Sequence, residues 1–107
     1  MAYIVWTEPA LTDMDEVAEY IAISNVSAAK KLIALIFAKV TRLADYPESG
    51  RVSAELTGLH YRELVVPPCR IFYRIKSDQV IILHVMRQER DLRRFMIDHE
   101  ADGGQNS

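Results

Sequence analysis

Two connections of only two residues divide the second half of this 107-residue chain into three β-rich segments. Pro67-Pro68 forms the first connection and Ser77-Asp78 forms the second, and both consist of turn-forming residues. Such short connections join antiparallel neighbours, because a parallel crossover needs a dozen or more residues. The sequence therefore predicts three hairpin-linked strands, over residues 60–66, 69–76 and 79–86.

A short β-rich run, residues 3–6, leads directly into the first predicted helix. Thr7 stands at its cap and Pro9 in its first turn. Apolar residues recur at helical spacing and acidic residues occupy the other angles, which predicts an amphipathic helix with an acidic outer side. The apolar positions are Leu11, Met14, Val17, Ala18 and Ile21, and the acidic positions are Asp13, Asp15, Glu16 and Glu19.

A second helix follows after a link of a few residues. Asn25 or Ser27 can cap this helix, and Pro47 with Gly50 ends it. So short a link predicts that the two helices form an antiparallel hairpin, and residues 48–58 are predicted as a loop. The apolar stripe of the second helix comprises Ala29, Leu32, Ile33, Ile36, Phe37, Val40, Leu43 and Ala44.

The chain has the length of one domain, predicted over residues 1–97, and residues 98–107 are predicted to form a disordered acidic tail. No segment resembles a signal peptide or a membrane span, which predicts a cytoplasmic protein without a membrane partner. Cys69 is the single cysteine, so an internal disulfide is excluded. A last short helix is predicted to contain Asp91 as its cap and the apolar residues Leu92, Phe95 and Met96.

The formal net charge of −2 conceals a basic segment. Residues 59–97 contain eight Lys/Arg and four Asp/Glu, whereas residues 1–58 contain five Lys/Arg and eight Asp/Glu. A local excess of arginine suits an anionic partner, either nucleic acid or an acidic protein segment. It equally suits an ordinary solvated face, so the charge pattern alone leaves both readings open.

The predicted middle strand has two unlike sets of side chains, because side chains alternate in direction along a strand. One face would belong to the core and the other would be largely cationic. The core set comprises Cys69, Ile71, Tyr73 and Ile75, and the largely cationic set comprises Arg70, Phe72, Arg74 and Lys76. Cys69 is accordingly predicted to act as a small apolar side chain rather than as a nucleophile.

Four stretches cover nearly all of residues 3–95: VWTEPALTDMDEVAEYI, LADYPESGR, YRELVVPPCRIFYRI and VIILHVMRQERDL. In this order and spacing they resemble the ParE/RelE superfamily, the toxins of type II toxin–antitoxin systems. The resemblance implies an α+β fold, in which an antiparallel helical hairpin follows an N-terminal strand and packs on a small twisted antiparallel sheet. It also implies a cognate antitoxin that neutralises the toxin, with operator DNA reached only through that antitoxin.

The resemblance implies two different activities. RelE-like members cut messenger RNA at the ribosome without a metal, whereas ParE-like members poison DNA gyrase without known covalent chemistry of their own. Metal-free cleavage needs a base, an acid and a cation at one phosphate. Arg70 stands where the nucleases carry a strand arginine, and it equally reads as a solvated arginine or an antitoxin contact. Gln88 replaces a catalytic arginine of the nuclease pattern, and no tyrosine follows Tyr73.

The histidines have structural explanations as well. By alternation His84 shares a face with apolar residues of its own strand, which favours a hydrogen-bonded histidine beside the core over a general base. Those apolar residues are Val80, Ile82 and Met86. His60, His84 and His99 lack metal-ligand spacing, so no metal and no cofactor are predicted.

Glu63 is the remaining candidate for a catalytic base. Its neighbour Arg62 points to the opposite face of the strand, so at most one of the two shares the face of Arg70. An ordinary strand ion pair or an exposed charge is favoured over a catalytic carboxylate at Glu63.

The incomplete nuclease signature favours a ParE-like gyrase inhibitor that is not an enzyme and has no catalytic residue. One alternative is ribosome-dependent mRNA cleavage, with Arg70, Arg90 and His84 as the catalytic set. Another is a non-toxic protein that only binds the antitoxin on its operator, a reading motivated by the pI of about 5.9. The predicted target-binding residues are Arg70, Arg74, Arg87, Arg90, Arg93 and Arg94, and the predicted antitoxin-binding residues are Leu11, Ile21, Arg74 and Phe95. A role in plasmid stabilisation and a role in the stress response both stay open.

Overall fold

A computed structural model describes residues 1–53 and 60–89 of the chain and has the predicted α+β architecture. Within these residues, two helices and a short 3-10 turn accompany five strands. The elements are β1 (Tyr3–Trp6), α1 (Glu8–Ala22), α2 (Val26–Thr41), the 3-10 turn (Arg42–Ala44), β2 (Arg51–Val52), β3 (Arg62–Val66), β4 (Cys69–Lys76) and β5 (Gln79–Arg87). The predicted helix after Asp91, with Leu92, Phe95 and Met96, and the predicted tail lie outside these residues.

The five strands form one mixed sheet in the order β1-β5-β4-β3-β2. The β3–β4 and β4–β5 pairs are antiparallel hairpins, as predicted. β1 instead pairs in parallel with β5, from Tyr3 opposite Gln79 to Trp6 opposite Ile82. The helical hairpin and strands β2, β3 and β4 lie between them in the chain, which is more than the long connection that a parallel pair requires.

The prediction of a loop over residues 48–58 is wrong at β2. Arg51 and Val52 pair in antiparallel fashion with Glu63 and Arg62 of β3. A strand of two residues is too short to show a periodic pattern, so pairing with β3 defines it and local sequence does not.

Both helices begin at the predicted caps. The Thr7 hydroxyl accepts a hydrogen bond from the Ala10 amide at 3.3 Å, and the Asn25 carboxamide oxygen accepts one from the Ala28 amide at 3.0 Å. Asn25, rather than the alternative Ser27, is therefore the cap of α2. The described part of the chain contains no helix long and apolar enough to cross a membrane.

The helical hairpin packs on one face of the sheet, and the core lies between them. Most of the apolar stripe predicted for the second helix is buried there, whereas Phe37 is 39% exposed and contacts the ring of Trp6 at 4.9 Å between centroids. Cys69 is fully buried, as predicted. The core includes Met14, Leu32, Ile36, Val40 and Leu43 from the helical half, and Cys69, Ile71, Tyr73, Val80, Ile82 and Val85 from the sheet.

The turn after the 3-10 helix is tied to the sheet through Tyr73. The Tyr73 hydroxyl accepts a hydrogen bond from the Gly50 amide at 2.9 Å and donates one to the Pro47 carbonyl at 2.7 Å. A Cβ at position 50 would lie 2.5 Å from that hydroxyl and 2.8 Å from the Glu63 carbonyl oxygen. Gly50 is thus required by close approach of the turn to β3 and β4, in addition to following the helical segment.

Candidate functional site

The candidate site lies on the sheet face opposite the helices, and a β-bulge in β5 determines its composition. Tyr73 stands opposite Ile82, but Phe72 stands opposite His84, so Leu83 is an extra residue in β5. Residues directly opposite each other share a face, and the bulge therefore brings His84 to the face of Phe72. Ile82 stays on the helix-covered face with Tyr73.

This bulge makes one prediction for His84 partly wrong. His84 does share its face with Met86, which stands opposite Arg70. It does not share a face with Val80 and Ile82, because the extra residue reverses the alternation between Ile82 and His84.

Arg70 is buried on this face, with only 8% of its surface exposed. One guanidinium nitrogen lies 3.4 Å from a Glu63 carboxylate oxygen and another lies 3.8 Å from the Met86 sulfur. The guanidinium carbon is 5.0 Å from the centroid of the Phe72 ring. The face of β4 predicted to be largely cationic does carry Arg70 and Arg74, but a carboxylate and apolar side chains surround the guanidinium of Arg70.

Glu63 links two arginines from two different strands. Its carboxylate, 5% exposed, pairs with Arg70 of β4 and with Arg51 of β2. Of the two readings predicted for Glu63, the strand ion pair is correct and the exposed charge is wrong. Arg62 lies on the other face, where it donates a hydrogen bond to the Gly50 carbonyl at 2.8 Å.

Asp13 occupies the place where β5 loses its neighbouring strand. β1 ends at Trp6, opposite Ile82, so the later residues of β5 have no partner from β1. Helix α1 fills the gap: the Thr7 hydroxyl donates to the Ile82 carbonyl at 2.7 Å, and the Val85 amide donates to the Asp13 carboxylate at 3.1 Å. Such capping satisfies edge groups that would otherwise be buried without partners.

The predicted acidic outer side of α1 is therefore wrong at Asp13, which is 3% exposed. The sequence did contain a signal for this, because Asp13 lies three residues after Ala10 and four before Val17, within the apolar stripe. The same carboxylate oxygen lies 3.3 Å from Nδ1 of His84, which donates when that nitrogen carries the proton. His84 is a hydrogen-bonded histidine beside the core, as predicted.

A small groove opens next to this pair, between α1 and the end of β5. Its walls include Asp13, Glu16, Tyr20 and Arg87. The Arg87 guanidinium lies 4.5 Å from the centroid of the Tyr20 ring, and its Nε lies 3.1 Å from a Glu89 carboxylate oxygen. Arg87 is thus a half-buried cation held by an aromatic ring and a carboxylate.

The predicted site residues divide between different parts of the molecule. Arg70 and His84 share one face at diagonal positions across β4 and β5, whereas Arg87 stands opposite Cys69, on the other face. Arg74 is exposed on the face of Arg70. Leu11 is 42% exposed, and Ile21 is half-buried against the core. The predicted residues Arg90, Arg93, Arg94 and Phe95, together with His99, lie outside residues 1–53 and 60–89.

The buried environment of Cys69 agrees with a structural role for this residue. Burial, assisted by the nearby Glu89 carboxylate, raises the pKa of the Cys69 thiol to about 11. The reactive thiolate is therefore scarce at neutral pH. Within the part of the chain that the structure describes, no three His, Cys, Asp or Glu side chains lie close enough together to hold a metal.

Comparisons with known proteins assign this chain to a family. A family model described as the ParE toxin of type II toxin–antitoxin system, parDE, matches residues 4–92. Toxin RelE2 of Caulobacter vibrioides is 34% identical over 91 residues, which cover 84% of this chain and 99% of that protein. The protein Y4kP of Sinorhizobium fredii is 42% identical over 85 residues, covering 78% of this chain and 84% of that protein.

A solved structure agrees at the level of the fold. A chain of the chromosomal ParDE toxin–antitoxin system from P. aeruginosa superimposes with a TM-score of 0.70 and 26% identity. The superposition covers 83% of this chain and 98% of that chain.

Proposed function

Because this chain belongs to the ParE toxin family of type II toxin–antitoxin systems, we propose that it inhibits DNA gyrase and replication without covalent chemistry of its own. Membership in the family makes the chain the toxin of such a pair and gives it an antitoxin as partner. The gyrase target is the further step that the site geometry supports.

The observation that carries this proposal is the environment of Arg70. A nuclease of the RelE type needs a cation that reaches the scissile phosphate, but Arg70 is 8% exposed and paired with Glu63. A phosphate would have to displace a buried carboxylate to reach this guanidinium, at a cost in desolvated charge. Arg70 in this arrangement stabilises the sheet rather than a transition state.

The cations that remain for a target surface are the accessible ones. Arg74 is exposed on the sheet, and Arg87 lies at a groove with Tyr20. We propose that these two, together with Arg90, Arg93 and Arg94 of the basic segment, complement an acidic protein surface or DNA held by gyrase. Arg70, by contrast, no longer belongs to the proposed target-binding set.

RelE-like cleavage stays the second candidate because of one specific observation. Arg70 and His84 lie at diagonal positions on the same face, a spacing of about 7 to 8 Å between such pairs. With Arg90 they would supply the cation and the proton-transfer group of a metal-free ribonuclease. In that reading, Glu63 would position Arg70 and Asp13 would position His84.

Induced expression of the chain alone tests the proposal, with DNA and protein synthesis followed separately in the first minutes. A gyrase inhibitor stops DNA synthesis first, whereas an mRNA nuclease stops translation first. The purified chain is then added to gyrase, where the proposal expects loss of supercoiling and accumulation of cleaved DNA. Normal supercoiling with excess protein would contradict it.

A His84→Asn variant separates the two activities in the same assay. The amide of Asn can keep a hydrogen bond to Asp13 but cannot act as the acid or base that the nuclease reading requires of the imidazole. At matched soluble levels, the gyrase proposal expects unchanged toxicity and the nuclease reading expects its loss. Unchanged growth with the wild-type chain itself would support the non-toxic, antitoxin-binding alternative.

A further inference from the structure

Two adjoining grooves lie at the end of α2, and none of the residues so far considered for the target lines them. The first, of about 340 Å³, is lined by Lys39, Arg42, Tyr46, Ser49, Leu64 and Val65. The second, of about 540 Å³, is lined by Tyr46, Pro47, Glu48, Ser49 and Ile75. Because Tyr46 and Ser49 line both, the grooves form one continuous surface, termed the α2-end surface below.

The first groove is cationic. Lys39 and Arg42 are exposed and three residues apart, so they project from the same side of the chain. Neither forms an ion pair with any residue in the ranges 1–53 and 60–89. Cations near a helix C-terminus interact favourably with the helix dipole, which explains their sign. The helix dipole does not explain why Lys39 and Arg42 line a cavity together with the hydroxyl-bearing side chains of Tyr46 and Ser49.

The rest of the surface is apolar and accessible. Tyr46 is 63% exposed, Val65 is 39% exposed and Ile75 is 37% exposed. Pro47 extends the apolar part into the second groove. Apolar side chains next to exposed cations fit a ligand that carries a carboxylate beside an apolar group.

The position of Glu48 distinguishes a peptide from a nucleic acid. This carboxylate lines the second groove, where it would repel the continuing phosphate backbone of a polyanion. A peptide with an acidic residue at Lys39 and Arg42, and an apolar residue at Tyr46 and Ile75, meets no such repulsion.

We propose that the α2-end surface binds a segment of the antitoxin that presents an acidic side chain followed by an apolar side chain. The inference rests on membership in a toxin–antitoxin pair and is independent of the gyrase target. It assigns the antitoxin a contact separate from Leu11, Ile21, Arg74 and Phe95.

Paired charge reversals on α2 test this contact. The Lys39→Glu/Arg42→Glu variant reverses the charge of the groove, and Lys30→Glu/Lys31→Glu makes the same charge change about 15 Å away along the helix. The antitoxin is produced from the adjacent reading frame, and its affinity is measured by isothermal titration calorimetry at two salt concentrations. The groove variant should bind about tenfold or more weakly with reduced salt dependence, and the control should bind like the wild type.

A second variant tests the apolar part, and thermal unfolding checks the fold of every variant. Tyr46→Ser removes an exposed ring and should also weaken antitoxin binding several-fold at unchanged Tm. Equal affinities for groove and control variants, or equal losses in both, would overturn the assignment. Binding of a labelled 20-nucleotide single-stranded DNA that Lys39→Glu/Arg42→Glu abolishes would overturn it in favour of nucleic acid.

Growth assays separate this inference from the proposed function. The groove variant should stay toxic and should no longer be neutralised by co-expressed antitoxin, whatever the target is. A variant that loses toxicity but keeps antitoxin affinity would overturn the inference, because the surface would then serve the target. Failure of the wild type to inhibit gyrase would contradict only the gyrase proposal.

Discussion

The two halves of β4 have the same alternating pattern but opposite environments. Residues 69–73 are buried on both faces, whereas Arg74, Ile75 and Lys76 are exposed on both. The difference follows from the neighbouring strand, because β3 pairs with β4 only as far as Tyr73. Beyond that residue, β5 is the one strand among residues 1–53 and 60–89 that pairs with β4. Burial along β4 therefore depends on how far the neighbouring strand extends as well as on the alternating pattern within the strand.

Arg70 and Arg74 show the consequence for a charged side chain. They lie four residues apart on the same face, yet Arg70 is buried against Glu63 and Arg74 is exposed. A buried ion must be compensated by a partner, whereas an exposed one is solvated by water. The same residue type is structural in one half of the strand and accessible for binding in the other.

The largest expected effect on stability comes from removing the carboxylate that pairs with Arg70 in the buried half of β4. Glu63→Ala removes the carboxylate that pairs with Arg70 and Arg51, so a buried positive charge loses this counterion. The free energy of unfolding should fall by about 3 to 5 kcal/mol, measured by urea denaturation. Arg74→Ala is the matched control from the exposed half and should change it by less than about 0.5 kcal/mol. Similar losses for both variants would refute the contrast between the halves.

The stability of the protein should depend on pH through Cys69, which lies in the buried half of β4 on the face covered by the helices. The pKa of Cys69 is raised to about 11 by burial, so the folded state holds its thiol proton to higher pH than the unfolded state. The resulting stabilisation is complete below pH 9 and is lost as the pH rises toward 11. The loss should reach about 2 to 3 kcal/mol, since one pKa unit corresponds to about 1.4 kcal/mol. Stability of Cys69→Ala, measured across the same range, should lack this component, and parallel curves for both proteins would argue against it.

A smaller effect on stability is expected at Tyr73, whose hydroxyl ties the turn after the 3-10 helix to the buried half of β4. Tyr73→Phe leaves the Gly50 amide and the Pro47 carbonyl without the hydroxyl that joins them. Unfolding free energy should decrease by about 1 to 2 kcal/mol, the cost of unmade buried hydrogen bonds. Tyr46→Phe removes a hydroxyl from a tyrosine that is 63% exposed and should be close to neutral. The prediction fails if the two phenylalanine variants unfold at the same urea concentration.

Much of the fold was predictable because its signals are local. The helix caps Thr7 and Asn25 lie next to the periodic segments they begin, and the two-residue connections define the hairpins. The burial of Cys69 followed from alternation in the well-paired half of β4. The ordered family stretches likewise predicted membership in a toxin–antitoxin system, which the family match over residues 4–92 confirms.

The candidate site was predictable only in part, because its geometry depends on contacts between distant segments. Asp13 and Val85 are 72 residues apart, and their hydrogen bond forms only because β1 ends early beside β5. The bulge at Leu83 places His84 opposite Phe72, although strict alternation predicts the other face. Neither the end of a neighbouring strand nor an extra residue in a ladder leaves a periodic trace in the sequence.

By itself the sequence determined the helical hairpin, the three hairpin-linked strands and the family, because propensity, capping and turn chemistry act over a few residues. Only the tertiary structure decided which charged residues are buried and paired. Arg70 is structural because Glu63 of β3 pairs with it and also with Arg51 of β2, and Arg74 is accessible because β3 does not reach it. Desolvation of a charge depends on every segment that surrounds it, and the assembled sheet alone determines those neighbours.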